Sequence, residues 1–200
     1  RSPQLKLEKK PSLPTADVQG KVAVGRDGFF SNFSCGDLLP ASGGTVDVLV
    51  VGRHLTFTSG NVVGGNIVYG NTGTVSQMVG IVDGTLRQDS PVDFASATTH
   101  LTALSTQLAG YTTNGTTNMS GVTLTLNGSD PFLNVFNVTA AQMTLTQEVY
   151  INVPNGSAVV VNVDGDNIDW GGNLVVSGTT ITNCMFNFHN ATSIIIQQID

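Results

Sequence analysis

Three aspartates stand close together in Val163-Asp-Gly-Asp-Asn-Ile-Asp-Trp170, at Asp164, Asp166 and Asp169. Their spacing opens like a calcium loop, which takes oxygen ligands at alternate positions and then needs a glycine. Ile168 stands at the third ligand position and Asp169 where the glycine belongs. The segment therefore reads as an acidic turn, and no metal site is expected. The same carboxylates could act as acid and base in glycoside hydrolysis or elimination. Such chemistry needs supporting Lys, Arg or His, of which this half of the chain has almost none. His54, His100 and His189 are scattered without metal-ligand spacing. No serine sits in a Gly-x-Ser-x-Gly elbow, and no phosphate-cradling glycine loop precedes a helix. Cys35 has no sequence-near partner to activate it as a nucleophile. The expected protein is not an enzyme: no catalytic residue and no cofactor is assigned.

Binding chemistry has better candidates. Thr-x-Thr recurs at Thr56/Thr58, Thr123/Thr125, Thr144/Thr146 and Thr180/Thr182. Alternate residues of a strand share a face, so Thr123, Thr125, Thr144 and Thr146 are candidates for a flat face of hydroxyls and methyls. Such a face could order ice or hold another ligand, although Thr is also simply a good residue for a half-exposed strand. Trp170, the single tryptophan, precedes Gly171-Gly172 and could stack on a sugar or cap a corner. Asn-x-Ser/Thr sequons, the acceptors of Asn-linked glycans, occur at Asn32, Asn114, Asn118, Asn127, Asn137, Asn155 and Asn190. Cys35 and Cys184 either form one disulfide, natural in an oxidising compartment, or remain two separately buried thiols.

Composition narrows the setting. The chain is 40% hydrophobic and only 11% charged, against roughly 25% charged in ordinary soluble domains. Neutral Ser, Thr, Asn and Gly take over the surface, which favours a secreted or cell-surface protein. The net charge of −6 argues against nucleic acid as a partner. The one basic cluster, Lys6, Lys9 and Lys10, is interrupted by Glu8 and followed by Pro11 and Pro14. No run of 18 or more apolar residues exists, so no membrane span is expected. Arg1 opens without a signal-peptide pattern, as a start made by processing would.

The elements that must position these residues repeat one phrase, a few β-formers followed by a Gly, Asn or Asp turn. It occurs as Lys21-Val-Ala-Val-Gly25, Val48-Leu-Val-Val-Gly52, Asn66-Ile-Val-Tyr-Gly70, Val122-Thr-Leu-Thr-Leu-Asn-Gly128, Ala158-Val-Val-Val-Asn-Val-Asp-Gly165 and Asn173-Leu-Val-Val-Ser-Gly178. Short strands with glycine corners suit a β-solenoid, whose coils bend several times and stack. One stretch differs. Ser90 as N-cap, Pro91 at the first helical position and apolar residues at Phe94, Ala97, Leu101, Leu104 and Leu108 predict a helix over about 91–109, ended by Gly110. Residues 111–120 read as a polar loop. Residues 1–14 read as an extended arm with partial alternation at Leu5, Leu7 and Leu13, and residues 15–200 as a single domain. The last strand carries Ile194, Ile195 and Ile196 and leaves a potential bare edge.

Ala16-Asp-Val-Gln-Gly-Lys-Val-Ala-Val-Gly-Arg-Asp27, Val48-Leu-Val-Val-Gly-Arg-His-Leu55, Gly65-Asn-Ile-Val-Tyr-Gly70 and Ser90-Pro-Val-Asp-Phe-Ala95 resemble, in order, the motifs of the choice-of-anchor A domain. Leu133-Asn-Val-Phe-Asn-Val138 and Pro154-Asn-Gly-Ser-Ala-Val-Val-Val-Asn-Val163 extend the likeness over roughly residues 16–197. That family is secreted or surface-anchored, has no known catalytic site, and is similar in plan to ice-binding β-solenoids. The resemblance implies a mainly β fold, a right-handed parallel β-solenoid with Phe94–Leu108 packed along its side. Family members carry a further strand at each end of the matched region. Here the solenoid ends would stay open unless the arm or another subunit covers them. The expected function is structural or adhesive and extracellular, with copies joined end to end into a homo-oligomer or filament. The alternative is a monomeric module that binds ice, glycans or other surface proteins.

Overall fold

The computed structural model describes residues 4–5 and 16–196. They form two compact units: residues 16–98, and residues 99–196 together with strand β1 (Gln4–Leu5). Leu7 and Leu13 lie outside the described residues.

In the first unit the chain winds in short strands, each closed by a corner. The first coil is β2 (Ala16–Val18), β3 (Val22–Val24) and β4 (Gly28–Phe30). The second is β5 (Phe33–Cys35), β6 (Asp47–Val51) and β7 (His54–Phe57), and the third β8 (Gly60–Val63), β9 (Asn66–Tyr69) and β10 (Thr72–Val75). Strands β11 (Val79–Val82) and β12 (Leu86–Gln88) begin a fourth. Every third strand pairs in parallel, giving sheets β2–β5–β8–β11, β3–β6–β9–β12 and β4–β7–β10. This is a parallel β-solenoid.

Register stacks like on like inside it, with Leu49 beside Ile67, Cys35 beside Val62 and Phe30 beside Phe57. The rings of Phe30, Phe33 and Phe57 meet at centroid distances of 5.0 to 6.4 Å. Each such buried side chain stabilises the coil by about 1.5–3 kcal/mol relative to exposure. Corner glycines stack as well: the Gly52 N–H bonds to Val24 O at 2.7 Å and the Gly70 N–H to Val51 O at 2.9 Å. A Cβ on Gly52 would lie 2.5 Å from Gly25 O and 2.9 Å from the Phe94 ring. Close approach of successive coils, more than backbone dihedral, thus dictates the glycine of the repeated phrase. Gly60 adds the dihedral requirement, with φ of +132° and no room for a side chain beside the Phe33 carbonyl.

Helix α1 (Phe94–Ala109) begins in the first unit and continues in the second. It starts three residues later than Ser90 and Pro91 suggest. Asp93 is the cap: its carboxylate accepts from the N–H groups of Ala95 (3.1 Å) and Ser96 (3.0 Å) and from the Ser96 hydroxyl (2.7 Å). These donors hold the Asp93 carboxyl below its ordinary value, the Ser96 N–H most of all. The apolar stripe is also incomplete. Leu104 and Leu108 pack on Val135 and Val160, but Leu101 is exposed.

The second unit repeats the coil. Its strands are β13 (Thr116–Ser120), β14 (Thr123–Asn127), β15 (Leu133–Thr139), β16 (Glu148–Asn152), β17 (Ala158–Asp164), β18 (Asn167–Trp170), β19 (Asn173–Ser177), β20 (Cys184–Asn187) and β21 (Ser193–Ile196). The sheets are β13–β14–β16–β19, β15–β17–β20 and β18–β21–β1. All pairs are parallel except β13–β14, a hairpin formed from residues whose polarity reads as loop. A second helix, α2 (Ala140–Leu145), packs against β18. Thr139 and Gln142 close a reciprocal capping box at its start. That signal, Thr139-Ala-Ala-Gln142, stands directly before Thr144 and Thr146, whose spacing alone predicts a strand. Phe136, Val161, Ile151, Leu124 and Trp170 fill the interior.

Candidate binding surfaces

Inward and outward residues alternate along each strand, so each sheet has one face for the core and one for something else. The outer face of β15–β17–β20 is taken by the second half of α1. Val135 and Val160 meet Leu108, and beside them a row of asparagines, Asn137, Asn162 and Asn187, lies in register across the three strands. Asn162 and Asn187 are 2% and 7% exposed. Their amides serve the helix carbonyls: Asn162 Nδ2 donates to Leu108 O (2.9 Å) and Asn187 Nδ2 to Ser105 O (2.9 Å). Asn187 Nδ2 also donates to Asn162 Oδ1 (2.8 Å), and the Ser105 hydroxyl donates to Asn187 Oδ1 (2.6 Å). The row thus supplies acceptors and donors that the helix end lacks. Its members are separated by 25 residues, and the same period links Asn127 to Asn152. The repeats Phe136-Asn-Val-Thr, Val161-Asn-Val-Asp and Phe186-Asn-Phe-His carry this signal in the sequence, where a search for strands and corners passes over it.

The outer face of β13–β14–β16–β19 carries polar rows. One runs Ser120, Thr123, Glu148, Asn173; the next Asn118, Thr125, Tyr150, Val175; the third Thr116, Asn127, Asn152, Ser177. All are exposed or half-buried. Asn152 Nδ2 donates to Asn127 Oδ1 at 2.9 Å, and the Tyr150 hydroxyl to Glu148 Oε2 at 3.4 Å. Thr123 and Thr125 are therefore neighbours on this face. Thr144 and Thr146 are elsewhere, because α2 replaces the strand that would have presented them. Thr144 accepts the Asp169 N–H (3.2 Å), and buried Thr146 donates to Gln142 O (2.7 Å). In the first unit a smaller threonine set, Thr56 beside Thr74, flanks exposed Phe29 on β4–β7–β10. There His54 Nδ1 is 2.7 Å from the Thr72 hydroxyl.

The acidic turn does not converge. Asp164 accepts from Asn190 Nδ2 (2.7 Å), while Asp166 accepts the backbone N–H (3.2 Å) and the hydroxyl of Thr192. Among the described residues no three His, Cys, Asp or Glu side chains are placed to share a metal ion. Trp170 is buried against Phe186, at a centroid distance of 5.1 Å, and offers no surface for stacking. Both cysteines are free thiols in the structure. Cys35 sits in the core of the first unit and Cys184 packs against that of the second. Burial pushes the Cys35 thiol up to about 12 and raises that of Cys184.

The sequon asparagines differ in what their amides do. Asn114 has both amide atoms engaged, to Leu133 O (2.9 Å) and from the Val135 N–H (2.7 Å), so it takes the place of a strand against β15. Asn32 accepts from Ser59 Oγ (2.7 Å), and Asn190 is held by Asp164. Asn118 and Asn127 lie on the outer face of the β14 sheet, exposed Asn155 follows Pro154, and Asn137 lines a cleft beyond α1.

At the chain's start, Gln4 pairs with Ser193 and Leu5 with Ile194, so β1 extends β21 in parallel on the side away from β18. Ile194, Ile195 and Ile196 are half-buried and pair with Ile168, Asp169 and Trp170 on the other side. Part of the strand edge that looked bare is therefore occupied.

A family model described as "Putative Ice-binding-like adhesive domain" matches residues 11–200. No curated protein and no solved structure matches the chain. A parallel coil with a capping helix and uncovered polar sheet faces is in keeping with that match, and over nearly its whole length the chain belongs to this ice-binding-like adhesive domain family.

Proposed function

We propose that this protein is a non-enzymatic, extracellular adhesive module whose copies join by exchange of β1. The observation that carries this reading is the parallel pairing of β1 with β21. Two residue pairs hold it among the described residues, and the same contacts can form on the β21 of another copy when the protein concentration rivals the effective concentration of the tethered arm. Each copy would then donate to the next, a heterologous contact that does not close and therefore grows a filament. The resemblance to secreted and surface-anchored choice-of-anchor A domains supports the extracellular setting. Negative-stain microscopy and sedimentation of the full chain and of a form lacking residues 1–14 test it. Concentration-dependent fibres should form with the arm and vanish without it; fibres from the truncated form, or single particles from both, refute strand exchange.

A second reading assigns target binding to the outer face of the β14 sheet. Its rows of small polar side chains favour it. Glu148 and Tyr150 interrupt the threonines, a mixture better suited to a hydroxylated glycan than to the even lattice of ice. Replacing Thr123 and Thr125 with Arg should abolish adhesion, or ice shaping, and leave the unfolding temperature unchanged. Full adhesion by that variant refutes this reading.

A further inference from the structure

We propose that the cleft beyond the end of α1 holds a sugar ring. An open hollow of ≈ 240 Å³ is lined by Asn137, Thr139, Asn162, Asp164, His189 and the helix residue Ala109. It is small beside ordinary ligand pockets of roughly 300–1,000 Å³, which fits one ring better than a chain. Two adjacent rows of the β15–β17–β20 face build it. In the asparagine row, Asn162 and Asn187 are committed to α1, but Asn137 is exposed and its amide has no hydrogen-bond partner among the described residues. In the next row Thr139 pairs in register with Asp164, and His189 stands beside Asp164.

Asp164 Oδ1 is oriented by Asn190 (2.7 Å), leaving Oδ2 as a free acceptor. His189 Nε2 is 3.7 Å from Asp164 Oδ1, too far for a hydrogen bond, and its Nδ1 is buried without a partner. A hydroxyl set between Nε2 and the carboxylate would hydrogen-bond to both. A carboxylate acceptor, a free amide with donor and acceptor, an imidazole and the methyl of Ala109 are complementary to a neutral polyhydroxylated ring with C–H and O–H edges. The single negative charge disfavours an anion. The ring could belong to a target glycan or to a chain attached to the protein itself, since Asn137-Val-Thr139 is a sequon at the cleft wall.

The inference stands apart from both readings above, and the experiment keeps them apart. Backbone amide NMR of the full chain, made in a host without Asn-linked glycosylation, would follow titration with hexoses, pentoses and N-acetylhexosamines to tens of millimolar. One class should shift the amides of Asn137, Asn162, Asp164 and His189 saturably. Asp164→Asn, which keeps the shape, should weaken binding about tenfold through loss of a charge-assisted hydrogen bond, and Asp37→Asn, at an exposed aspartate of the first unit, should leave it unchanged. No shift with any sugar, or undiminished binding by Asp164→Asn in a normally folded protein, overturns the proposal. Protein from a glycosylating host separates the two sources. A glycan on Asn137 that moves the same amides and silences free sugar identifies the attached ring as occupant. An unmodified Asn137 with the response intact identifies a target sugar. An attached glycan that leaves those amides unmoved overturns the proposal.

Discussion

Asn162→Ala should be among the most destabilising single changes to the outer surface of the second unit, although no core side chain is touched. Asn162 is 2% exposed and makes two hydrogen bonds, one to Leu108 O at 2.9 Å and one from Asn187 Nδ2 at 2.8 Å. Alanine removes both. Leu108 O keeps the Tyr111 N–H (3.2 Å) and Asn187 Nδ2 keeps Ser105 O, so neither partner is wholly orphaned. Two net hydrogen bonds at about 0.5–1.5 kcal/mol each, plus part of the penalty for buried groups left under-satisfied, give a loss of about 2–3 kcal/mol. Asn137→Ala removes the same side chain from the same row, but there the amide is exposed and unbonded, so the loss should stay within about 0.5 kcal/mol. Asn187→Ala should match or exceed Asn162→Ala. The double variant of positions 162 and 187 should fall short of additivity, because the two share a hydrogen bond. Urea unfolding followed by circular dichroism at a helical and a sheet wavelength measures all four. Equal losses at positions 137 and 162 would refute the argument that the row stabilises by capping α1. They would point instead to a general contribution from asparagine in these strands.

Four further outcomes follow from the geometry. Gly52→Ala, whose Cβ meets the Gly25 carbonyl and the Phe94 ring, should cost about 1–3 kcal/mol by overpacking. Gly20→Ala, with open space around it, should be neutral or slightly stabilising in the same urea titration. Acid should weaken the fold through four aspartates held below their ordinary 3.8: Asp27 by the Arg53 guanidinium, Asp89 by that of Arg87, Asp93 by the Ser96 N–H and Asp130 by the Phe132 N–H. A depressed carboxyl contributes stability that is present above its unfolded pKa and lost as pH falls through the folded one. The unfolding temperature should therefore fall progressively below about pH 4, and an Asp93→Asn variant should show a shallower fall. A thiol reagent at pH 8 should leave Cys35 of the native protein unlabelled, react only slowly with half-buried Cys184, and label both in the denatured, unreduced protein, since burial raises both thiols and encloses Cys35. A denatured protein with no reactive thiol would contradict the free cysteines seen here.

What the sequence determined by itself is the coil. Strand length, the glycine after each apolar run and the helix between the two sets are local choices. They follow from β-propensity, from the lack of space for a Cβ between stacked corners, and from helical spacing at Leu104 and Leu108. The asparagine row was legible too, in a 25-residue recurrence, but its meaning was not, because the partners of Asn162 and Asn187 are carbonyls of a helix far away along the chain. Tertiary structure decided the rest. Thr144 and Thr146 look like a strand pair until Thr139 and Gln142 cap α2 and turn them away from the threonine face. The pairing of β1 with β21 joins the two ends of the chain, which no local pattern encodes. His189 and Asp164 become neighbours only because coils of equal length bring positions one period apart into register. A repeat determines its own shape from short-range rules, whereas a site assembled across repeats depends on how those shapes stack.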